Sequence, residues 1–204
     1  MQQKYYAVKV GRTPGIYMNW EDCNKQVKGY KGAKFKSFTN AKDAADFVNN
    51  VEETGCTNDE NGVPVTDEKT AVAYVDGSYN VETKKFSYGV VMFHNGEEKH
   101  FSEKVEDEEL AEMRNVAGEI KGAEAAMKYA VDNKVEKLFI YHDYEGIASW
   151  CLGHWKTNKK GTIEYKKFYD KIKDSVNITF IKVKGHSDDR YNDLADSLAK
   201  QAIF

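Results

Sequence analysis

Cysteine is scarce in this 204-residue chain, and its scarcity closes off two structural solutions. Cys23, Cys56 and Cys151 are odd in number, widely separated and never in a CxxC pair, which argues against a disulfide framework and a zinc site. Reduced, unpaired thiols are expected. Also missing is any apolar run near the roughly 18 to 20 residues that crossing a bilayer needs. The opening MQQKYYAVKV lacks the apolar stretch of a secretory signal, so a cytoplasmic protein with no membrane partner is expected. No internal repeat or low-complexity tract occurs. Neither sign of charge dominates, the formal net being −3.

That small net charge conceals a division along the chain. Residues 1–52 carry nine Lys or Arg against five Asp or Glu, residues 53–69 one against five, and the remainder 20 against 23. A basic head, an acidic spacer and a near-neutral body suggest that one end meets a polyanion while the other has a separate task. The length accommodates one α/β domain of ordinary size plus a small module. The spacer holds Asn61-Gly62 and Pro64 and almost no large apolar residue, so a flexible linker is expected there. Predicted domains are therefore 1–52, a linker at 53–69, and 70–204.

In the head, apolar alternation over Tyr5 to Val10 and Ile16 to Met18 flanks a Thr13-Pro14-Gly15 turn. A helix capped by Asn19 follows, then a strand at Lys34 to Phe38 and a helix with Ala44, Phe47, Val48 and Val51 on one face. In the body, Ala71 to Asp76, Tyr88 to Phe93 and Lys99 to Val105 read as a three-strand meander. Helical spacing marks Val116 to Val131, Glu145 to Cys151, Tyr165 to Ile172 and a final helix through Leu194, Ala195, Leu198, Ala199 and Ala202. Strands at Lys137 to Tyr141 and Ile178 to Val183 fall between them. Three consecutive strands followed by α/β alternation imply an α/β fold with a mixed five-stranded sheet and helices on its faces.

Four acids stand where an unpaired carboxylate is costly: Asp76 and Asp143 at strand ends, Glu119 and Asp196 on helices. Each has a plain alternative, since Asp-Gly alone reads as a turn and an early helical Glu as a dipole partner. Their contexts are VDGSY, RNVAGEI, YHDYEGI and KGHSDDRYNDLAD, and in this order they resemble the catalytic domain of a type 1 ribonuclease H over residues 71–204. The resemblance implies a ribonuclease H-like fold and an endonuclease that cuts the RNA strand of RNA/DNA hybrids with two Mg2+ ions, Mn2+ being possible. It implies 5′-phosphate and 3′-hydroxyl ends and no obligate protein partner, hence a monomer. Asp76 would bridge both ions, Glu119 and Asp143 would serve the leaving-group side, and Asp196 the nucleophile side. His186 would move protons or assist product departure, while His142 is expected to pack or face solvent. Asn115 would contact the hybrid near the cut. Arg114, Val116 and Glu145 depart from the family's usual residues, and no long basic protruding helix follows Asp143. Trp155 and the seven lysines of residues 156–173 could line a phosphate track, a solvated helix face being the other reading.

The head, YYAVKVGRTPGIYMNWEDC followed by KFKSF, resembles the small α+β three-stranded hybrid-binding domain also seen in caulimovirus viroplasmin. By that resemblance Tyr6, Trp20 and Phe35 would stack on the DNA strand and Lys36 would touch phosphate. Ser37 stands where a second lysine is frequent.

Overall fold

The computed structural model describes residues 4–49, 56–185 and 189–204. The chain divides into two compact units, Met1–Thr54 and Gly55–Phe204.

The first unit is a three-stranded antiparallel sheet with two helices. Strands β1 (Tyr5–Val10), β2 (Gly15–Tyr17) and β3 (Lys34–Phe38) lie in the order β2-β1-β3. Helix α1 (Trp20–Val27) starts as expected at Asn19, whose side chain accepts from the Asp22 N–H at 2.9 Å and so satisfies one of the helix's free amides. Alternation along β1 sends Val8 to Cys23 and Val27 of α1, while Ala7, its buried neighbour, takes the other face. Helix α2 (Ala41–Asn49) packs on β1 and seats Phe47 against Phe38.

The second unit is built on a five-stranded sheet of β4 (Thr70–Asn80), β5 (Lys85–His94), β6 (Glu97–Val105), β7 (Lys137–His142) and β8 (Asn177–Lys182). Its order is β6-β5-β4-β7-β8, antiparallel from β6 to β4 and parallel from β4 to β8. Central β4 is buried on both faces, as the middle strand of a doubly covered sheet must be. Helices α4 (Asn115–Asp132), α5 (Gly146–Cys151) and α6 (Lys160–Ile172) cover one face, where Ile120, Met127, Leu138, Ile140 and Tyr165 form the main core. Helix α7 (Arg190–Gln201) covers the other through Tyr191 and Ala195, against Val72, Tyr74 and Phe93. A short helix, α3 (Glu108–Ala111), not expected from the sequence, precedes α4. Helix α6 also begins earlier than its apolar spacing suggested, because its first turn is polar. Among the described residues no helix is long and apolar enough to cross a membrane.

The stretch 56–69 differs from the expected flexible spacer. Asp59 Oδ1 accepts from the Asn61 and Val63 amides at 2.8 and 2.9 Å, and Cys56 Sγ meets the Val65 carbonyl at 2.8 Å. Val63 and Cys56 pack on the cluster under α7, and the Lys69 carbonyl accepts from Glu136 and Lys137. Side-chain caps on backbone amides together with these few apolar contacts hold the segment, and composition alone registers neither.

Candidate active site

Parallel pairing of β4 with β7 places Tyr74 opposite Tyr141. Two residues on, Asp143 lies just past the end of β7, while Asp76 does not close its strand as expected but sits within β4, which stays paired with β5 as far as Asn80. The end of β7 thus brings Asp143 beside Asp76, next to the strand ends where open α/β sheets hold ligands. Helix α4 supplies the third. Gly77 makes this possible: a Cβ there would collide with the Asn115 carbonyl and the Glu119 amide, and one on Gly118 would collide with the Ser87 carbonyl. Two glycines thus let α4 settle onto β4 and β5 at backbone distance. As a result one oxygen each of Asp76, Glu119 and Asp143 lies within 4.8 Å of the others.

These oxygens are short of partners. The Gly77 amide donates to Asp76 Oδ1 at 2.6 Å, and the Tyr144 amide donates to Glu119. Glu119 is only 1 % exposed, yet its Oε2 has no hydrogen-bond partner among the described residues. Burial, followed by the charge of Asp143, pushes the Glu119 carboxyl up to about 9. Burial and then Asp143 likewise push Asp76 up to about 7. Such a group is held at a loss unless it takes protons or a cation. An all-oxygen donor set with one orphaned buried oxygen fits a hard divalent ion such as Mg2+.

Asp196 lies outside this close group. It sits on α7, which Gly89 admits to β5 because a Cβ there would strike the Ala195 carbonyl. Its charge is felt at Asp76, but its Oδ2 is held by Lys200 at 2.6 Å. His186 lies outside the described residues, though its neighbour Gly185 is placed: a Cβ there would come within 2.6 Å of Asp143 Oδ2. His142 packs, as one of its two expected readings had it. It is buried against Phe180 with Nδ1 2.9 Å from the Tyr144 carbonyl, and desolvation pushes its imidazole down.

Asn115 opens α4 one turn before Glu119 and lines a groove of about 440 Å³ with Tyr144, Trp150, Lys156 and Lys159. Trp155 meets Tyr144 and Trp150 edge-on, with ring centroids 6.1 and 5.9 Å away. Tyr144 and Trp150 were not singled out in the sequence; only adjacency to Asp143 and helical spacing from it mark them. Lys200 was missed as well, and its spacing of four from Asp196 on one helix was the available signal.

In the first unit Tyr6, Trp20 and Phe35 come together, with centroids 5.9 Å apart for Tyr6 and Trp20 and 5.8 Å for Trp20 and Phe35. Trp20 and Phe35 remain 45 % and 44 % exposed, which core packing does not explain. Lys36 is not with them: its Nζ lies 5.5 Å over the Phe38 ring, on the α2 side of β3. Ser37, paired with Tyr6 across the strands, is on the aromatic face.

Among the described residues the cluster holds carboxylates alone, the donor set of a site for a hard divalent ion. The chain belongs to the RNase H family: the RNase H model matches residues 68–204, and the Ribonuclease H1 N-terminal domain model matches residues 4–48. A ribonuclease H of Clostridium botulinum is 24% identical over 143 residues, covering 66% of this chain and 96% of that protein. A ribonuclease H of Crithidia fasciculata is 44% identical over 48 residues, covering 24% of this chain and 10% of that much longer protein. Among solved structures, the N-terminal RNase H domain of a Mycobacterium tuberculosis protein, fused to maltose binding protein, has a TM-score of 0.55 at 18% identity. It covers 65% of this chain and 92% of that one. LC11-RNase H1, solved in complex with RNA/DNA hybrid, has a TM-score of 0.52 at 16% identity, covering 66% and 99%. At these identities the structural likeness speaks for the fold. The family is divalent-metal dependent and its members are ribonuclease H enzymes, in keeping with the carboxylate group.

Proposed function

We propose that the chain hydrolyses the RNA strand of RNA/DNA hybrids with two divalent ions bound alongside substrate, leaving 5′-phosphate and 3′-hydroxyl ends. The observation that carries this reading is the convergence of Asp76, Glu119 and Asp143 around an orphaned Glu119 oxygen in a chain of this family. When bound, a pair of such ions activates a water and stabilises the departing oxygen. Mg2+ suits the donor set, with Mn2+ as an alternative.

The chain's own residues do the rest. Asp76, the member of the close group on which the charge of Asp196 also acts, is the carboxylate suited to serve both ions. Glu119 and Asp143 are held to one side by the Gly77 approach and the Tyr144 amide, and Asp196 supplies the other. The groove beside Asn115, with Trp155 at its margin and Lys156 and Lys159 on its wall, would hold a backbone while Asn115 senses the minor groove at the cut. The exposed Tyr6, Trp20 and Phe35 face would stack on the DNA strand, with Ser37 and not Lys36 beside it. His186 keeps its proposed part in proton movement or product departure. A monomer acting in the cytoplasm completes the reading.

The test is incubation with a labelled hybrid, matched double-stranded RNA and matched DNA, with and without chelator. Cleavage confined to the RNA of the hybrid and abolished by chelator is expected. Cutting of duplex DNA, or cleavage surviving chelator, would overturn the reading.

A further inference from the structure

Among the described residues, Asp196 is the site carboxylate with a cationic side-chain partner. Among the described residues no basic side chain forms an ion pair with Asp76, Glu119 or Asp143; Lys182 reaches only the Asp143 backbone carbonyl, at 3.1 Å. Asp196, by contrast, is bound at 2.6 Å to Lys200, one turn further along α7. Acid before base at this spacing is the favourable orientation on a helix. The ammonium is also felt at Asp76, where it favours the ionised form. By geometry its partner is Asp196, which stands outside the close group of three.

Resting on the proposed two-ion reading, we propose that Lys200 is the resident counter-cation of Asp196, keeping the fourth carboxylate from a divalent ion until the substrate's phosphate arrives. The close group then takes its ion first, since among the described residues no side-chain cation is paired with it. Occupying the Asp196 side requires Lys200 to release its carboxylate and bear a second positive centre nearby, which an incoming phosphate offsets. Lys200 is about half exposed and Asp196 a quarter, so the pair is weak enough to be given up. Lys200 is thus a positioning residue, acting through Asp196.

The test uses the full chain, without nucleic acid, titrated with Mn2+ while free ion is followed by electron paramagnetic resonance. The wild type should take one ion well before a second. Lys200→Gln and Lys200→Met should bind the second ion about threefold more tightly or better, the size an exposed pair implies, while Lys200→Arg should behave as wild type. A purely structural lysine would leave the second affinity unmoved. Equal second-ion affinity in wild type and both neutral variants, or Lys200→Arg behaving like them, would overturn the proposal. Asp76→Asn separates this from the parent reading. If that variant keeps its first ion at full affinity, the carboxylate assignment fails whatever Lys200 does.

Discussion

A carboxylic acid buried beside two others has two ways to relieve its charge, a proton or a cation, and the competition between them can be measured. Glu119 and Asp76 have folded-state values raised to about 9 and about 7 from ordinary values of 4.5 and 3.8. In metal-free protein the folded state therefore binds more protons than the unfolded chain across that interval, and the stability these groups contribute is lost as pH rises from about 4 through about 9. Thermal melts in chelator should show wild type losing stability from pH 5 to 8 relative to Glu119→Gln, with Mg2+ narrowing the gap. A constant difference across that range would contradict the burial argument. The same residue scale governs chemistry: Asp76→Asn keeps the side chain's shape but removes the charge shared by both sides of the site. Hydrolysis should fall to background while hybrid affinity, measured by gel shift, largely survives.

At the scale of elements, the site depends on how closely helices can approach strands. Helix α4 reaches β4 because Gly77 and Gly118 present no side chain where backbones meet. Gly77→Ala should destabilise the fold by about 1 to 3 kcal/mol, the usual size for overpacking against atoms that cannot move aside, and weaken Mn2+ binding by displacing Glu119. Urea unfolding and metal titration would check both effects. The VDGSY motif was legible as a candidate site in the sequence, but its Gly77 read as half of a turn. In the structure β4 continues through it to Asn80, and the residue's purpose is room for α4. In the head, strand alternation decides which side chains share a face, so Ser37 and not Lys36 lies beside the Tyr6 ring. Ser37→Lys should tighten hybrid binding and steepen its logarithmic salt dependence by about one, as one added phosphate contact does. Fluorescence anisotropy at several salt concentrations would measure it, and an unchanged slope would remove Ser37 from the binding face.

On the scale of the whole molecule, the charge distribution and the two compact units suit the proposed division between a hybrid-binding head and a catalytic body. On that proposal, a head that grips hybrid raises the local concentration of the body joined to it on long substrates. Deleting residues 1–52 should therefore reduce cutting of long hybrids more than of short ones, compared by initial rates. An equal loss on both would count against the tether. Residues 56–69, expected to be a flexible spacer, belong instead to the second unit, where Cys56 and Val63 pack on the cluster under α7.

The amino-acid order alone determined the strand succession, the main helices and the Asn19 cap, because periodicity and capping are local properties written along the chain; the four acids it offered as candidates, through the family resemblance of their motifs. Tertiary structure decided what depends on distances between segments far apart in sequence. It brought Asp76, Glu119 and Asp143 into one group, left Asp196 in the hands of Lys200, and turned Lys36 from the aromatic face. Those outcomes follow from strand register and from the few places where a missing Cβ lets two backbones touch.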